Sequence, residues 1–190
     1  MIDKYINLMI KNGIILQRDE EIYKYKVTCL VEKIVMISAM ILISLFFKET
    51  TGVIIFIVTF FWLRSRTGGF HLDSFSGCFI CTISIEIVVI LLIKSQIVPI
   101  VISKILAATA SIIILILGAS NHPNMDYEKE EYHFNKKYAR VIVIIEFLAI
   151  LFFSWLEISG EYIQAMEYSV ILTAILLIMA FTMGQHKKIT

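Results

Sequence analysis

Apolar residues in this chain come in long unbroken runs rather than in stripes, and short polar stretches separate the runs. The first, "IVMISAMILISLFF" at 34–47, is followed by others at roughly 53–63, 78–93, 97–118, 141–156 and 168–184. Runs that are apolar on every face leave no side for water, which predicts helices embedded in lipid rather than the one-sided helices of a soluble bundle. The N-terminus is patterned differently. Ile2, Tyr5, Ile6, Met9, Ile10 and Ile14 recur every three or four residues with Asp3, Lys4, Asn7 and Lys11 between them. That spacing predicts an amphipathic helix lying in the membrane interface. After Asn12-Gly13 and the polar "QRDEE", a second helical stretch begins near Glu20 and runs into the first apolar run. The expected fold class is all-α: a polytopic helical membrane protein with about six transmembrane or re-entrant helices, preceded by an interfacial amphipathic helix.

The run 53–63 is the ambiguous one. "VIIFIVTFFWL" stops at Arg64, whereas a hydrocarbon core of about 30 Å takes about 20 helical residues to cross. It is either a short span or a re-entrant segment covered by neighbours, and a four-span topology is the rival to six. Charge placement favours six. With a cytoplasmic N-terminus, residues 1–33, 64–77, 119–140 and the tail beyond 184 all lie inside, and they carry every Lys and Arg of the 17 except Lys48, Lys94 and Lys104. This is the asymmetry expected of a multi-pass protein with both termini in the cytoplasm. The chain then divides as one domain, 1–190: a cytoplasmic-side amphipathic part at 1–33, two spans in 34–63, a cytoplasmic loop at 64–77, spans three and four in 78–118, a second loop at 119–140 and two last spans in 141–184.

Composition agrees with a lipid solvent. Hydrophobic residues make up 58% and charged residues 17%, with a mean hydropathy of +0.83, too apolar for an ordinary soluble domain. A net charge of +1 gives no footprint for nucleic acid. Cys29, Cys78 and Cys81 show no secreted-domain spacing, so no disulfide framework is expected. The N-terminus lacks the continuous apolar core of a cleavable signal peptide.

The polar break "RSRTGGFHLDSFSGC", residues 64–78, is where chemistry concentrates. A thiol nucleophile needs a base to take its proton and a positive environment for its thiolate, normally an imidazole and the N-terminus of a helix. His71 and Cys78 supply the first pair, and Asp73, Ser74 and Ser76 are good N-cap types for a helix carrying Cys78 in its first turn. Were 71–78 one continuous helix, the two side chains would be about 10 Å apart along its axis, so the segment has to fold back. Gly68, Gly69 and Gly77 give the backbone that freedom. Spacing alone leaves open that His71 is a solvated loop residue and Cys78 a packing residue.

Arg66, Gly68, Gly69, His71 and Cys78, supported by Ser74 and by the later "NHPN" and "KKYAR" around 121–140, resemble the AgrB family of bacterial accessory gene regulator peptidases. The resemblance covers the order of hydrophobic segments over essentially the whole chain, while its specific motif is confined to 64–78. It implies a cysteine endopeptidase of the bacterial cell membrane that removes the C-terminal tail of a quorum-sensing precursor peptide. His71 and Cys78 are then catalytic, Arg66, Gly68, Gly69 and Ser74 support them or bind substrate, and a thioester on Cys78 is closed by a Cys or Ser of the peptide into a thiolactone or lactone. The implied partners are the lipid bilayer and a precursor with an amphipathic helix and an acidic tail; a homodimer is left open, and no cofactor is implied.

The chain departs from the family pattern in two places. Where members tend to carry a Glu or Gln that could orient the histidine, this chain has Thr28, with Glu32 one helical turn further on. The segment "NMDYEKEEYHFNKK" is acidic where members look basic, and its Asp126, Glu128, Glu130 and Glu131 are either a solvated face or a receiver for a basic substrate region. His122 and His133 lack partners at metal-ligand spacing, so no metal site is expected. Glu86 and Glu146 fall inside predicted spans and should face the bundle interior or a partner, with Lys104 available to pair with one of them. A non-enzymatic peptide exporter or membrane scaffold is the alternative function, for which the six spans would suffice.

Overall fold

The computed structural model describes residues 2–70, 72, 74–121 and 127–185. Helix α1 (Ile2–Lys11) keeps to the amphipathic pattern of its sequence, burying Ile6 and leaving Tyr5 and Leu8 exposed. Lys24 ties it to the next helix through Asp3, and the hydrogen bond from Lys24 holds the Asp3 carboxyl below its ordinary range. A 3-10 turn at Gln17–Asp19 leads into α2 (Glu20–Phe47), α3 (Thr50–Thr67), α4 (Phe75–Ser95), α5 (Ile100–Leu117), α6 (Lys129–Trp155) and α7 (Gly160–Thr182). The described residues contain no strand, as the all-α expectation requires. This is a multi-pass membrane protein.

Five of these helices, α2 and α4 to α7, are long and apolar enough to cross a bilayer. Helix α3 has the 18 residues of α5, about 27 Å at the α-helical rise, but ends in Arg64 and Arg66. It extends past both ends of the apolar run 53–63, because two cations in the last turn face the negative end of the helix dipole and help the helix continue to Thr67. Val53, Phe56, Ile57, Phe60, Leu63 and Thr67 are buried, and α3 packs on α2, α4, α6 and α7. It runs from one end of the bundle to the other rather than turning back.

The two ends are defined by their hydrogen bonds. At one, Lys94 Nζ donates to the Phe47 carbonyl at 2.8 Å and Gln164 Nε2 to that of Val98 at 2.9 Å, joining the connections α2–α3, α4–α5 and α6–α7. At the other, the Ser120 amide donates to the Thr67 carbonyl at 2.8 Å and Arg140 Nε to that of Leu115 at 2.8 Å. Arg140 thus serves an otherwise orphaned carbonyl in the last turn of α5.

Two helices start well before the apolar runs that announced them. Residues 129–140, expected as loop, are the first turns of α6, with Glu130 and Glu131 in its first turn and Glu128 at its N-cap position. Acids there complement the helix dipole, which gives the acidic segment a structural role. Helix α7 begins at Gly160 because Gln164 and Glu167, which lower the hydropathy of this stretch, have partners inside the bundle: Gln164 bonds Val98, and Glu167 accepts from Ser103 Oγ. Glu86 and Glu146 do face the interior, but Lys104 forms no ion pair with either among the described residues.

The core has two parts. One gathers Leu63, Ala110, Ile114, Val143 and Ile150 around Ile163, Met166, Val170 and Leu177 of α7. The other gathers Met40, Phe56, Phe60 and Ile90 around Ala165 and Tyr168 of the same helix. Helix α7 therefore belongs to both, and α2 lies at the edge of the second, leaving space between itself and α3, α4 and α7.

Candidate functional site

That space is a cavity of about 580 Å³ walled by α2, α3, α4, α7 and the chain between α3 and α4. Its construction starts where α3 ends. Gly68 (φ 62°) and Gly69 (φ 121°) turn the backbone through conformations that side chains resist. A Cβ on Gly68 would lie 2.8 Å from the Ser120 carbonyl oxygen, and one on Gly69 would overlap Nη1 of Arg64. The Phe70 amide then donates to the carbonyl of Leu176 at 2.9 Å. Leu176 lies six residues before the end of α7, so the chain dips into the bundle before it starts the next helix.

Helix α4 starts as its sequence asks. Ser74, in extended conformation, caps it by accepting the Gly77 amide on Oγ at 3.2 Å. The Cys78 amide makes its own bond to the Ser74 carbonyl at 3.0 Å. Cys78 therefore sits one turn into the helix, near its positive end, and its side chain lines the cavity. Residues 71 and 73 lie outside the described residues, so neither His71 nor the cap type Asp73 is placed. Phe70 and Leu72, on either side of residue 71, both line the cavity that Cys78 lines. The helix begins only at Phe75, so 71–78 is not one continuous helix, as the chemistry required.

The other expected site residues divide between the cavity and elsewhere. Ser74 and Glu32 line it. Thr28 is not in its wall; its hydroxyl donates to the Lys24 carbonyl at 2.8 Å. Gly68 and Gly69 shape the loop from behind. Arg66 turns the other way, donating to Asn135 Oδ1 at 3.0 Å and stacking over Phe134 and Tyr138 of α6. The guanidinium at the cavity is Arg64, which donates to the carbonyls of Gly68 and Phe70. Two residues apart on a helix, Arg64 and Arg66 point about 200° apart, and only packing says which one faces the site.

Cys29 and Cys81 line the same cavity as Cys78, so all three thiols of the chain open on one space, and each is free. The remaining wall is largely aromatic and thioether, with Phe56, Phe60, Phe61, Phe75, Met36 and Met40. Such a surface is apolar enough to exclude water, while Glu32, Lys33 and Arg64 provide the few charges.

The family model described as Accessory gene regulator B matches residues 2–183, nearly the whole chain. Among curated proteins and among solved structures, none matches significantly.

Proposed function

Since the chain belongs to the accessory gene regulator B family, with a role in processing autoinducing peptides for quorum sensing, we propose that it is a membrane cysteine endopeptidase whose nucleophile is Cys78 and whose base is His71. The observation that carries this reading is that Cys78, in the first turn of a capped helix, shares one cavity wall with both neighbours of residue 71. His71 takes the thiol proton, and the sulfur attacks a backbone carbonyl of the precursor. Collapse of the tetrahedral adduct breaks the peptide bond, and His71 returns the proton to the departing amine of the C-terminal tail. The N-terminal part remains as a thioester on Cys78. A Cys or Ser of the peptide then attacks that thioester, and Cys78 leaves as a thiol while the ring closes. An apolar wall supports cyclisation over hydrolysis by keeping water from the thioester. Ser74 acts through the helix cap and Glu32 by orienting the imidazole.

In single-turnover mixtures with the precursor, a covalent adduct should appear whose mass equals the enzyme plus the N-terminal fragment less one water, mapped to Cys78 and released by neutral hydroxylamine. Tail release without such an adduct would overturn the acyl-enzyme, and no tail release at all would favour the exporter or scaffold.

The orientation follows from charge. The end of the bundle with Arg64, Arg66, Lys129, Lys136, Lys137 and Arg140 belongs in the cytoplasm, leaving Lys48, Lys94 and Lys104 toward the opposite side. Single-Cys variants at positions 50, 95 and 160 should react with an impermeant thiol reagent added outside intact cells. Protection of all three would reverse or dismantle this orientation.

A further inference from the structure

Arg64 is partly buried at the cavity wall, and its planar guanidinium makes two hydrogen bonds to main-chain oxygens, Nη1 to Gly68 and Nη2 to Phe70, the latter at 2.6 Å. Gly69 between them has no side chain, and a Cβ there would occupy the place of Nη1. Fork, glycine and the two carbonyls form one interlocked unit. No carboxylate pairs with Arg64 among the described residues, and Arg64 and Cys78 line the same cavity.

We propose that Arg64 is a positioning residue of this site: it clamps the carbonyls on either side of Gly69, fixing the chain after α3, and holds a positive charge in the cavity that Cys78 lines. The inference rests on the endopeptidase reading and deepens it. A lysine keeps the charge but is a point donor without the fork, so it cannot hold both carbonyls in one plane. The two halves of the role can therefore be separated.

The test uses the full chain in proteoliposomes, with iodoacetamide as thiol probe and a synthetic precursor built as amphipathic helix, Cys and acidic tail. Site-resolved mass spectrometry reads the alkylation of each cysteine. Arg64→Gln should slow alkylation of Cys78 at pH 7 by about tenfold and leave Cys29 and Cys81 at their wild-type rates. Arg64→Lys should restore the alkylation of Cys78 while kcat stays down by about 10²-fold, the usual cost of a misplaced catalytic group, with KM unchanged. The proposal is overturned if Arg64→Gln leaves Cys78 alkylation and kcat at wild-type values, or if all three thiols change together, which would mean general loosening. Should the unmodified protein fail to cleave the precursor, the endopeptidase reading falls instead, and the alkylation series alone decides the role of Arg64.

Discussion

Replacing Cys78 with alanine is expected to abolish precursor cleavage while the protein stays inserted in the membrane at its usual level. Loss of the nucleophile from a hydrolase of this kind costs about 10⁶-fold in kcat, which here means no detectable tail release. Insertion should be unaffected because Cys78 belongs to neither hydrophobic cluster. His71→Ala should fall almost as far. Cys29→Ala and Cys81→Ala are the controls that give the result its meaning, since both side chains open on the same cavity. A thiol that merely packs against substrate costs a few-fold at most, and only Cys78 stands one turn from a helix N-terminus. Cleavage by Cys78→Ala at the normal rate would end the endopeptidase assignment; loss of cleavage in all three variants would move the argument from nucleophile to cavity shape.

Glu146→Met is expected to stabilise the protein, by about 1–3 kcal/mol, the penalty usually carried by a buried polar group without a partner. Both carboxyl oxygens of Glu146 are buried and unpaired among the described residues, inside a part of α6 that packs beside Val143 and Ile150. Methionine fills nearly the same volume without a polar atom to desolvate. The unfolding midpoint in detergent micelles should rise. At Glu167 the same change should gain less, because that carboxyl accepts a hydrogen bond from Ser103 and helps join α7 to α5. A fall of more than about 1 kcal/mol on Glu146→Met would instead reveal a polar contact that the carboxyl makes in the folded protein, since losing a satisfied hydrogen bond costs about that much.

How far the sequence foretold this molecule depended on what each residue had to be compared with. Lipid-facing helices were legible because the bilayer is a uniform solvent and an apolar run needs no partner to be recognised. The start of α7 was not, since Gln164 and Glu167 look like loop residues until Val98 and Ser103 are seen beside them. The same limit held at the site. Local rules place Cys78 in the first turn of a helix and offer Asp73, Ser74 and Ser76 as cap types, of which Ser74 is the cap. Glu32 is offered by its place one turn beyond Thr28, but the choice of Arg64 over Arg66 and the arrival of Cys29 from α2 depend on which helix faces are packed together. No single-helix pattern contains that information.

One consequence of the architecture concerns synthesis rather than chemistry. Helix α7 supplies residues to both hydrophobic clusters, yet among the described residues it is the last of the seven α-helices in chain order. The ribosome therefore delivers α2 to α6 into the bilayer before the helix they pack around exists. Each can insert by hydropathy alone, but they have no shared centre until α7 arrives, and the dip at Phe70 waits for the Leu176 carbonyl that anchors it. The loop after α3 is thus anchored only once α7 has been made, and a nascent chain in the membrane before then carries its cysteines on helices that do not yet enclose a cavity.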